Sequence, residues 1–404
     1  MQIKPILTAL RKHRLATILI ALEIALACAV LCNATSMIAT RLSAMNIVSG
    51  VDEASLGIIV VTGFTPDQVD DLNARMVAGL RTVPGVEAVH VVSTVPFGPQ
   101  WGVAGITLDH KTHPAVVAFY EGDPGTPKAL GLKLVAGHMP SVDDYQSQPE
   151  TGWFPASSRV LVTRALADKL WPDGQAVGKE FWSGDGQFRV IGVVANLAMA
   201  HPMHYGKRAP GWSVFVPAQP GGRLAGTYLI RANPQDLDRV MVAAQAKVGK
   251  IAPGVVIDRA SSHTVGYLRN QFFKADRAMA GLLVGVIVAL LGVTVLGIVG
   301  LASFWVSQRR KQIGVRRALG ATRGDILRYF QTENFLIVTF GIVLGVVLAI
   351  ATNIMLMKVF EVSRLPFWYL PIGAVVLWLL GQLAVLAPAL RASNVPPVVA
   401  TRSV

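Results

Sequence analysis

The chain has 404 residues, of which 52% are hydrophobic and 15% are charged, and its formal net charge is +13. This composition lies on the membrane-protein side of the average for globular proteins, and it disfavours an ordinary soluble domain. The excess basic residues lie in short segments beside apolar runs and form no patch on a soluble face, which disfavours a nucleic-acid partner.

Four apolar runs are long enough to cross a hydrocarbon layer of about 30 Å, which takes roughly 20 helical residues. The predicted spans are 15–38, 279–304, 333–357 and 368–388. Short loops rich in Lys and Arg stay in the cytoplasm. This rule places the segments 1–14, 305–332 and 389–404 in the cytoplasm. The large domain 39–277 and the short loop 358–367 are then outside.

The first span is predicted to be a retained helix, because its apolar stretch is too long for a signal peptide and no small-x-small cleavage site closes it. It contains both cysteines of the chain, Cys28 and Cys32. They lie one helical turn apart, which is poor geometry for a disulfide between them. We therefore interpret both as packing residues.

The external domain begins and ends with the same pattern of strand, helix and strand. In each copy a Pro-Gly-Val corner, at Pro84 and again at Pro253, separates the helix from the second strand. Two such units predict a split, ferredoxin-like α+β core formed by residues 55–96 and 225–262. Residues 97–224 are then an inserted, mostly β subdomain with one helix at 163–170.

Few residues of the external domain suggest chemistry. His110 with His113, and His201 with His204, have a spacing that suits a metal on a helix, but neither pair lies in a helical pattern. The stretch "GQAVGKE" at 174–180 lacks the spacing of a phosphate-binding loop. We find no catalytic motif, so the chain is predicted not to be an enzyme and to bind no cofactor directly.

The most unusual segment is "RRKQIGVRRALGATRGDILRYF", residues 309–330, which is basic and amphipathic. The residues predicted to form its apolar stripe are Ile313, Leu319, Ile326, Leu327 and Phe330. Thr322 is placed to cap a second short helix whose first turn carries Asp325. Such a helix suits an anionic lipid surface and a partner protein equally well.

This segment resembles the signature that leads into the third span in the FtsX/MacB permease family of ABC transporters. The stretches "VLVTRALADKLWPDGQAVGKEF" and "FRVIGVVANL" resemble the periplasmic core domain of that family, and "PALRASNVPPVVATR" resembles its C-terminal tail. The order of one span, a large external domain and three more spans covers the whole chain. Gln312 stands where the family usually has Glu, and the tail has Thr401 where it has Leu.

The resemblance implies that a separate dimeric ABC ATPase subunit consumes ATP and Mg²⁺ and grips the cytoplasmic loop as a coupling helix. It also implies a second permease copy or a related permease, and transmission of ATP-driven closure to the periplasmic domain. The residues predicted to couple to the ATPase are Arg309, Arg310, Gln312, Ile313, Gly314, Arg316, Arg317, Leu319, Gly320, Ala321, Thr322, Asp325 and Ile326.

Few polar residues lie inside the spans, which fits mechanical work better than a hydrophilic path. Glu23 is a functional candidate because it is ionisable, although a hydrogen-bonded acid facing a neighbouring helix is the simpler interpretation. Asn33, Asn353 and Gln382 are predicted to hydrogen bond between helices. Gly341 and Gly345 give weak support for a dimer face, because their spacing is common in spans.

The sequence therefore predicts the permease subunit of a MacB-like exporter in the inner membrane of a Gram-negative bacterium. Its expected partners are the ATPase, a periplasmic adaptor with an outer-membrane channel, and membrane lipid. Two alternatives share this architecture, a regulator of a periplasmic hydrolase like FtsX and a lipoprotein-releasing permease like LolC or LolE. A membrane-anchored enzyme is a remote fourth possibility.

Overall fold

The computed structural model describes residues 14–99, 102–147, 154–155, 157–200, 211–360 and 364–394. Residues 1–13 of the predicted cytoplasmic N-terminus, the His201 and His204 pair and residues 395–404 of the predicted tail lie outside the described residues. The chain divides into two compact units, a membrane unit formed by residues 1–43 and 276–404, and an external unit formed by residues 44–275.

The helices in chain order are α1 (Arg14–Met45), α2 (Val69–Arg81), α3 (Thr126–Leu130), α4 (Arg164–Leu170), α5 (Leu237–Ile251), α6 (Val265–Phe272), α7 (Lys274–Gln308), α8 (Arg310–Ala318), α9 (Arg323–Phe360) and α10 (Tyr369–Ser393). The strands are β1 (Leu56–Thr62), β2 (Val86–Val91), β3 (Val103–Ile106), β4 (Ala115–Gly122), β5 (Leu134–Gly137), β6 (Ser157–Thr163), β7 (Glu180–Ser183), β8 (Gly186–Val194), β9 (Ser213–Pro217), β10 (Thr227–Ala232) and β11 (Val256–Ile257).

Within the described residues, four helices of the membrane unit are long and apolar enough to cross a membrane, namely α1, α7, α9 and α10. The helices α1, α7 and α9 contain the first three predicted spans and extend beyond them, most of all α9, which begins at Arg323 instead of residue 333. The helix α10 begins one residue after the start of the fourth predicted span and continues past its end, to Ser393. Side chains from all four helices form one apolar core, with Ile24, Ile298, Val338 and Leu377 among its buried members. The four predicted spans are confirmed as helices.

The external unit contains a four-stranded antiparallel sheet in the order β11-β1-β10-β2. This is the strand order of a ferredoxin-like fold, so the predicted α+β core is confirmed. Side chains alternate between the two faces of a strand, and both faces of β1 are buried. Ile59 and Val61 pack against α2 and α5, while Leu56 and Ile58 pack into a second core that the insertion shares.

The insertion forms a seven-stranded mixed sheet in the order β3-β4-β9-β6-β8-β5, with β7 paired to β8. Its predicted helix is α4, which follows Thr163. The sequence missed the short helix α3, which ends at Gly131 with a left-handed φ of 77°. The core of this sheet is aromatic, with Phe119, Phe181 and Phe188 fully buried.

Glu121 of β4 lies where the insertion joins the ferredoxin-like core. Its backbone N–H donates to Ser93 Oγ at 2.9 Å, and the N–H of Ser93 donates to the Glu121 carbonyl at 2.9 Å. The Glu121 side chain is buried. This burial raises the pKa of its carboxyl group from 4.5 to about 7, although the positive charge of Arg223 opposes the shift.

We expect Glu121 to make the stability of the external unit fall between pH 4.5 and pH 7. A folded-state pKa of about 7 means that the folded state holds the proton more tightly, so the stabilisation is complete below 4.5 and is lost as the pH rises to about 7. The loss is on the order of 3 kcal/mol at most. Glu121→Gln should flatten the curve of unfolding free energy against pH, whereas Asp185→Asn, at an exposed turn, should leave it unchanged. Parallel curves for Glu121→Gln and the unsubstituted chain would contradict the assignment.

Candidate functional site

The basic segment forms a short helix and a turn between two membrane helices. After α7 ends at Gln308, α8 covers Arg310–Ala318, and α9 begins at Arg323. Gly320 reverses the chain with a φ of 98°, a left-handed conformation that only glycine adopts without strain. The N–H groups of Leu319 and Ala321 satisfy the last carbonyls of α8, at 3.0 Å each.

Thr322 and Asp325 form the N-terminal cap of α9. The Thr322 N–H and hydroxyl donate to the Asp325 carboxylate at 2.9 and 2.6 Å, and the Asp325 N–H donates back to Thr322 Oγ1 at 3.2 Å. The predicted cap is therefore present, but the prediction that it begins a second short helix is wrong. It begins the third membrane helix itself, so the turn at Gly320 connects directly to a spanning element.

One face of the segment is buried in a small apolar cluster. Ile313 of α8 packs with Ile326 and Phe330 of α9 and with Ala389 and Ala392 of α10, and Leu327 covers the edge. The prediction that Leu319 belongs to this apolar stripe is wrong, since its side chain is 83% exposed. A strongly exposed leucine beside several arginines is accessible to a partner protein or to lipid.

Arg309 does not face outward as predicted. Its Nη1 donates to both carboxylate oxygens of Glu333 in α9, at 3.1 and 3.0 Å, and its guanidinium lies 5.6 Å from the centre of the Trp305 ring. The Arg309 side chain is 12% exposed and that of Glu333 is 2% exposed. Arg309 therefore joins the start of α8 to α9 and exposes little of its side chain, and its predicted contact with the ATPase stays a prediction.

Sequence reasoning missed Glu333, because a lone acid inside an apolar run does not reveal its partner 24 residues earlier. The sequence feature that could have identified Glu333 is its position, because an ionisable residue at the end of a predicted span is a functional candidate by default.

Two arginines within α8 also contact the adjacent helices α9 and α10. The Arg316 guanidinium lies 4.9 Å from the centre of the Tyr329 ring in α9. The Arg317 Nη1 donates to the Ser393 carbonyl at the end of α10. Together with the Arg309 pair, these contacts hold α8 against both α9 and α10.

The remaining predicted coupling residues divide by exposure. Ile313, Gly314 and Ile326 are buried, and Arg317 and Ala321 are half-buried. We call the exposed side of α8 the docking face, defined by Arg310, Lys311, Gln312, Val315, Arg316 and Leu319. Gly320, Thr322 and Asp325 are exposed in the adjoining turn. The structure contains no partner chain, so the predicted contact with an ATPase stays a prediction.

The predicted intramembrane polar residues differ in their contacts. Asn33 donates through Nδ2 to the Ala349 carbonyl at 3.1 Å, and Asn353 donates to Asn33 Oδ1 at 3.2 Å, so these amides connect α1 to α9. The Glu23 carboxylate lies against Gly297 of α7, where an added Cβ would meet Oε2 at 2.6 Å. In the described residues Glu23 Oε1 and Gln382 Nε2 are buried without a hydrogen-bond partner.

Gly341 and Gly345 pack within the chain. An added Cβ at Gly341 would meet Ile24 at 2.8 Å, and one at Gly345 would meet Cys28 at 2.5 Å and the Ala25 carbonyl at 2.8 Å. The expectation that this pair forms a dimer face is therefore wrong, because α1 of the same chain already occupies it.

Gly345→Val should destabilise the membrane unit, because the added side chain would force α1 and α9 apart. We expect a loss of roughly 1–3 kcal/mol, the usual cost of overpacking. Gly300→Val is the matched control, since among the described residues nothing lies within 4 Å of an added Cβ there. The midpoint of thermal unfolding in detergent would measure both variants. Equal midpoints for the two would argue against the close α1–α9 contact.

The described residues hold no group of three or more His, Cys, Asp or Glu side chains that could bind a metal ion. His110 follows β3, and its ring lies 4.6 Å from that of Trp182, with the two ring planes tilted by 48°. His113 lies beside Gly105 of β3. The two histidines thus make contacts typical of a hairpin loop.

Four membrane helices, a large α+β domain between the first and second, and a basic helix between the second and third define a permease subunit of the ABC-transporter type. Residues 17–250 match the family described as MacB-like periplasmic core domain, and residues 284–397 match the FtsX-like permease C-terminal domain. The chain belongs to the MacB-like permease family, with an FtsX-like permease domain at its C-terminal end.

Individual relatives agree with this assignment. The chain is 24% identical over 383 residues to the ABC transporter permease YvrN of Bacillus subtilis, covering 91% of this chain and 88% of that protein. It is 28% identical over 232 residues to the macrolide export ATP-binding/permease protein MacB of Chromobacterium violaceum, covering 55% of this chain but only 33% of MacB.

The matches among solved structures include the extracellular domain of the ABC-type transporter YknZ from Gram-positive bacteria. That domain has a TM-score of 0.33 and 14% identity, and it matches 50% of this chain and 98% of its own. The periplasmic region of MacB from Actinobacillus actinomycetemcomitans has a TM-score of 0.31 and 16% identity, and it matches 52% of this chain and 89% of its own.

Proposed function

We propose that this chain is the permease subunit of an efflux transporter in which a separate ABC ATPase drives conformational change in the external domain. The docking face carries this proposal. It presents exposed Leu319 among exposed cations, on a helix that Arg309, Arg316 and Arg317 fasten to α9 and α10. A surface of this kind suits a partner with an apolar pocket and an acidic rim.

ATP and Mg²⁺ are consumed by the partner in this proposal, and the chain transmits the motion. Movement of α8 is passed to α9 through the Arg309–Glu333 pair and the buried cluster around Ile313. We propose that two permeases, either identical or related, sit on the ATPase dimer. Gly281, Gly285 and Gly292 of α7, which have nothing within 4 Å of an added Cβ, leave room on that helix for a second copy.

We further propose that the chain lies in an inner membrane with both termini and α8 in the cytoplasm, as the clustering of basic residues favours. The external domain then faces the periplasm and engages an adaptor that leads to an outer-membrane channel. Relatives named as macrolide exporters favour efflux, and the substrate class would follow from transport assays.

The experiment is affinity purification of the tagged chain from its native membranes after mild cross-linking. An ATP-binding subunit together with a periplasmic adaptor would support the exporter. Recovery of a cell-wall hydrolase instead would favour a regulator like FtsX, and recovery of a lipoprotein carrier would favour lipoprotein release. The absence of any ATP-binding subunit would overturn the proposal, as would protease or labelling probes that reach α8 from the periplasmic side.

A further inference from the structure

The chain enters the external unit once, after α1, and leaves it once, before α7. The entry segment is 44–55 and the exit segment is 258–275, which contains α6. These are the two covalent routes by which motion of membrane helices can reach the external unit. The contacts of the entry and exit segments with each other and with the external unit therefore determine how much of the helix motion reaches that unit.

Arg269 of α6 bridges the exit segment to the entry segment. Its Nη2 donates to the carbonyls of Met45 and Ile47, both at 2.7 Å, and its Nη1 donates to Glu53 Oε1 at 2.5 Å. Met45 is the last residue of α1, Ile47 lies two residues beyond it, and Glu53 begins the turn before β1. One side chain thus holds both ends of the entry segment.

The guanidinium of Arg269 also contacts two aromatic rings. It lies 5.1 Å from the centre of the Phe97 ring and 6.0 Å from that of Phe273. Phe97 and Phe273 are buried in the core that contains Leu56 and Ile58 of β1. Only a planar, forked cation can reach three acceptors and lie against aromatic rings at once, so lysine could not replace it.

Backbone contacts anchor the two segments separately. The Ala198 N–H donates to the Ser49 carbonyl at 2.8 Å, and Gly50, with a φ of 80°, lies so close to the Asn196 carbonyl that an added Cβ would be 2.1 Å from it. In the exit segment, the Ile58 N–H of β1 donates to the His263 carbonyl at 3.0 Å. These bonds tie each segment to the domain, while the Arg269 contacts connect the two segments to each other.

We infer that Arg269 is a positioning residue that holds the entry and exit segments together as one rigid body. Motion of the helix before the external unit and of the helix after it is then delivered as a single displacement. Without Arg269, each segment would keep only its own backbone bonds to the domain, the distance between the two segments would vary more widely, and part of the displacement would be lost within them. The purpose of this clamp rests on the proposed function, but its existence is testable without nucleotide.

The test measures the distance between spin labels on Val48 and Gln271 in the full chain, using electron spin resonance in lipid nanodiscs. Both positions are exposed, and the native Cys28 and Cys32 are replaced by Ala. The unsubstituted clamp should give one narrow distance distribution. Arg269→Gln should widen it at least twofold, and Arg269→Lys should also widen it. An unchanged width in Arg269→Gln would overturn the inference.

Arg259→Gln is the matched control, because Arg259 is an exposed arginine of the same exit segment, and it should leave the width unchanged. If Arg269→Gln does not fold, Glu53→Gln removes one charged acceptor and keeps the two carbonyls, so a smaller widening is expected. An unchanged width in Glu53→Gln would then overturn the inference.

Adding a non-hydrolysable ATP analogue to the purified complex with its ATPase separates the clamp from the proposed function. A widened distribution in Arg269→Gln, together with no response of the external unit to nucleotide in the unsubstituted complex, would support the inferred role of Arg269 and count against the proposed function. A nucleotide response that persists at full size in Arg269→Gln would overturn the clamp alone.

Discussion

Leu319→Asp should abolish stable binding of the ATPase subunit, with at least a hundredfold loss of affinity. The leucine is 83% exposed on the docking face, so the substitution removes no contact within the chain. Burying a leucine in a partner stabilises a complex by roughly 1.5–3 kcal/mol, and burying an unpaired carboxylate instead costs more than that. Both effects act in the same direction. The measurement is the amount of ATPase that co-purifies with the tagged permease, with the permease itself quantified in the same sample.

Two comparisons make the Leu319 result specific. Leu134→Asp changes an exposed leucine on an edge strand of the external unit, and it should leave co-purification intact. Leu319→Ala should have an intermediate effect, because it removes the apolar contact without adding a charge. Full retention of the ATPase by Leu319→Asp would mean that the docking face lies against lipid instead, the other use of a basic amphipathic helix.

Glu333→Ala should destabilise the membrane unit by about 3–5 kcal/mol, because it leaves the Arg309 guanidinium buried without its counter-ion. Arg309→Met should have a similar effect by leaving the carboxylate unpaired. The double variant Arg309→Met with Glu333→Leu should be more stable than either single variant, since replacing a buried pair by apolar residues is often close to neutral. Unfolding of the purified chain in mixed detergent micelles, followed by tryptophan fluorescence, would measure all three.

Arg310→Ala is the control for this series, because Arg310 is exposed one residue away. Its removal should change stability by less than about 1 kcal/mol, as surface charges generally do. A Glu333→Ala variant as stable as Arg310→Ala would show that the buried pair contributes little. If a double variant folds and binds the ATPase subunit but no longer stimulates its ATP hydrolysis, the Arg309–Glu333 pair would also have a role in transmitting motion between the ATPase and the membrane helices.

The sequence predicted the architecture well because its signals are local. Four apolar runs define four helices, and the Pro84 and Pro253 corners with their flanking periodic segments define the ferredoxin-like core. The cap formed by Thr322 and Asp325 was also predicted, since a capping pair three residues apart is visible in sequence. Its consequence was not, because a cap shows where a helix begins and not how far it continues.

Contacts that depend on tertiary structure could not be predicted. Leu319 is assigned to the apolar stripe by helical spacing. The left-handed Gly320 lies in the turn after α8, so the helical periodicity of α8 does not continue to Ile326. The Arg309–Glu333 pair joins residues on different helices, so composition alone cannot distinguish it from an exposed charge. Gly341 and Gly345 offer a close approach in the sequence, but only the packing of α1 shows which helix uses it.

The uninterrupted course of α9 has a geometric consequence. From Arg323, directly after its cap at Thr322, to Phe360 it is one helix of 38 residues, or about 57 Å at 1.5 Å per residue. A tilt of about 5° about the end that adjoins α8 would move the opposite end by roughly 5 Å, comparable to one helical turn. A small rocking of α8 is thus magnified by length alone, with no hinge or unwinding needed along the way.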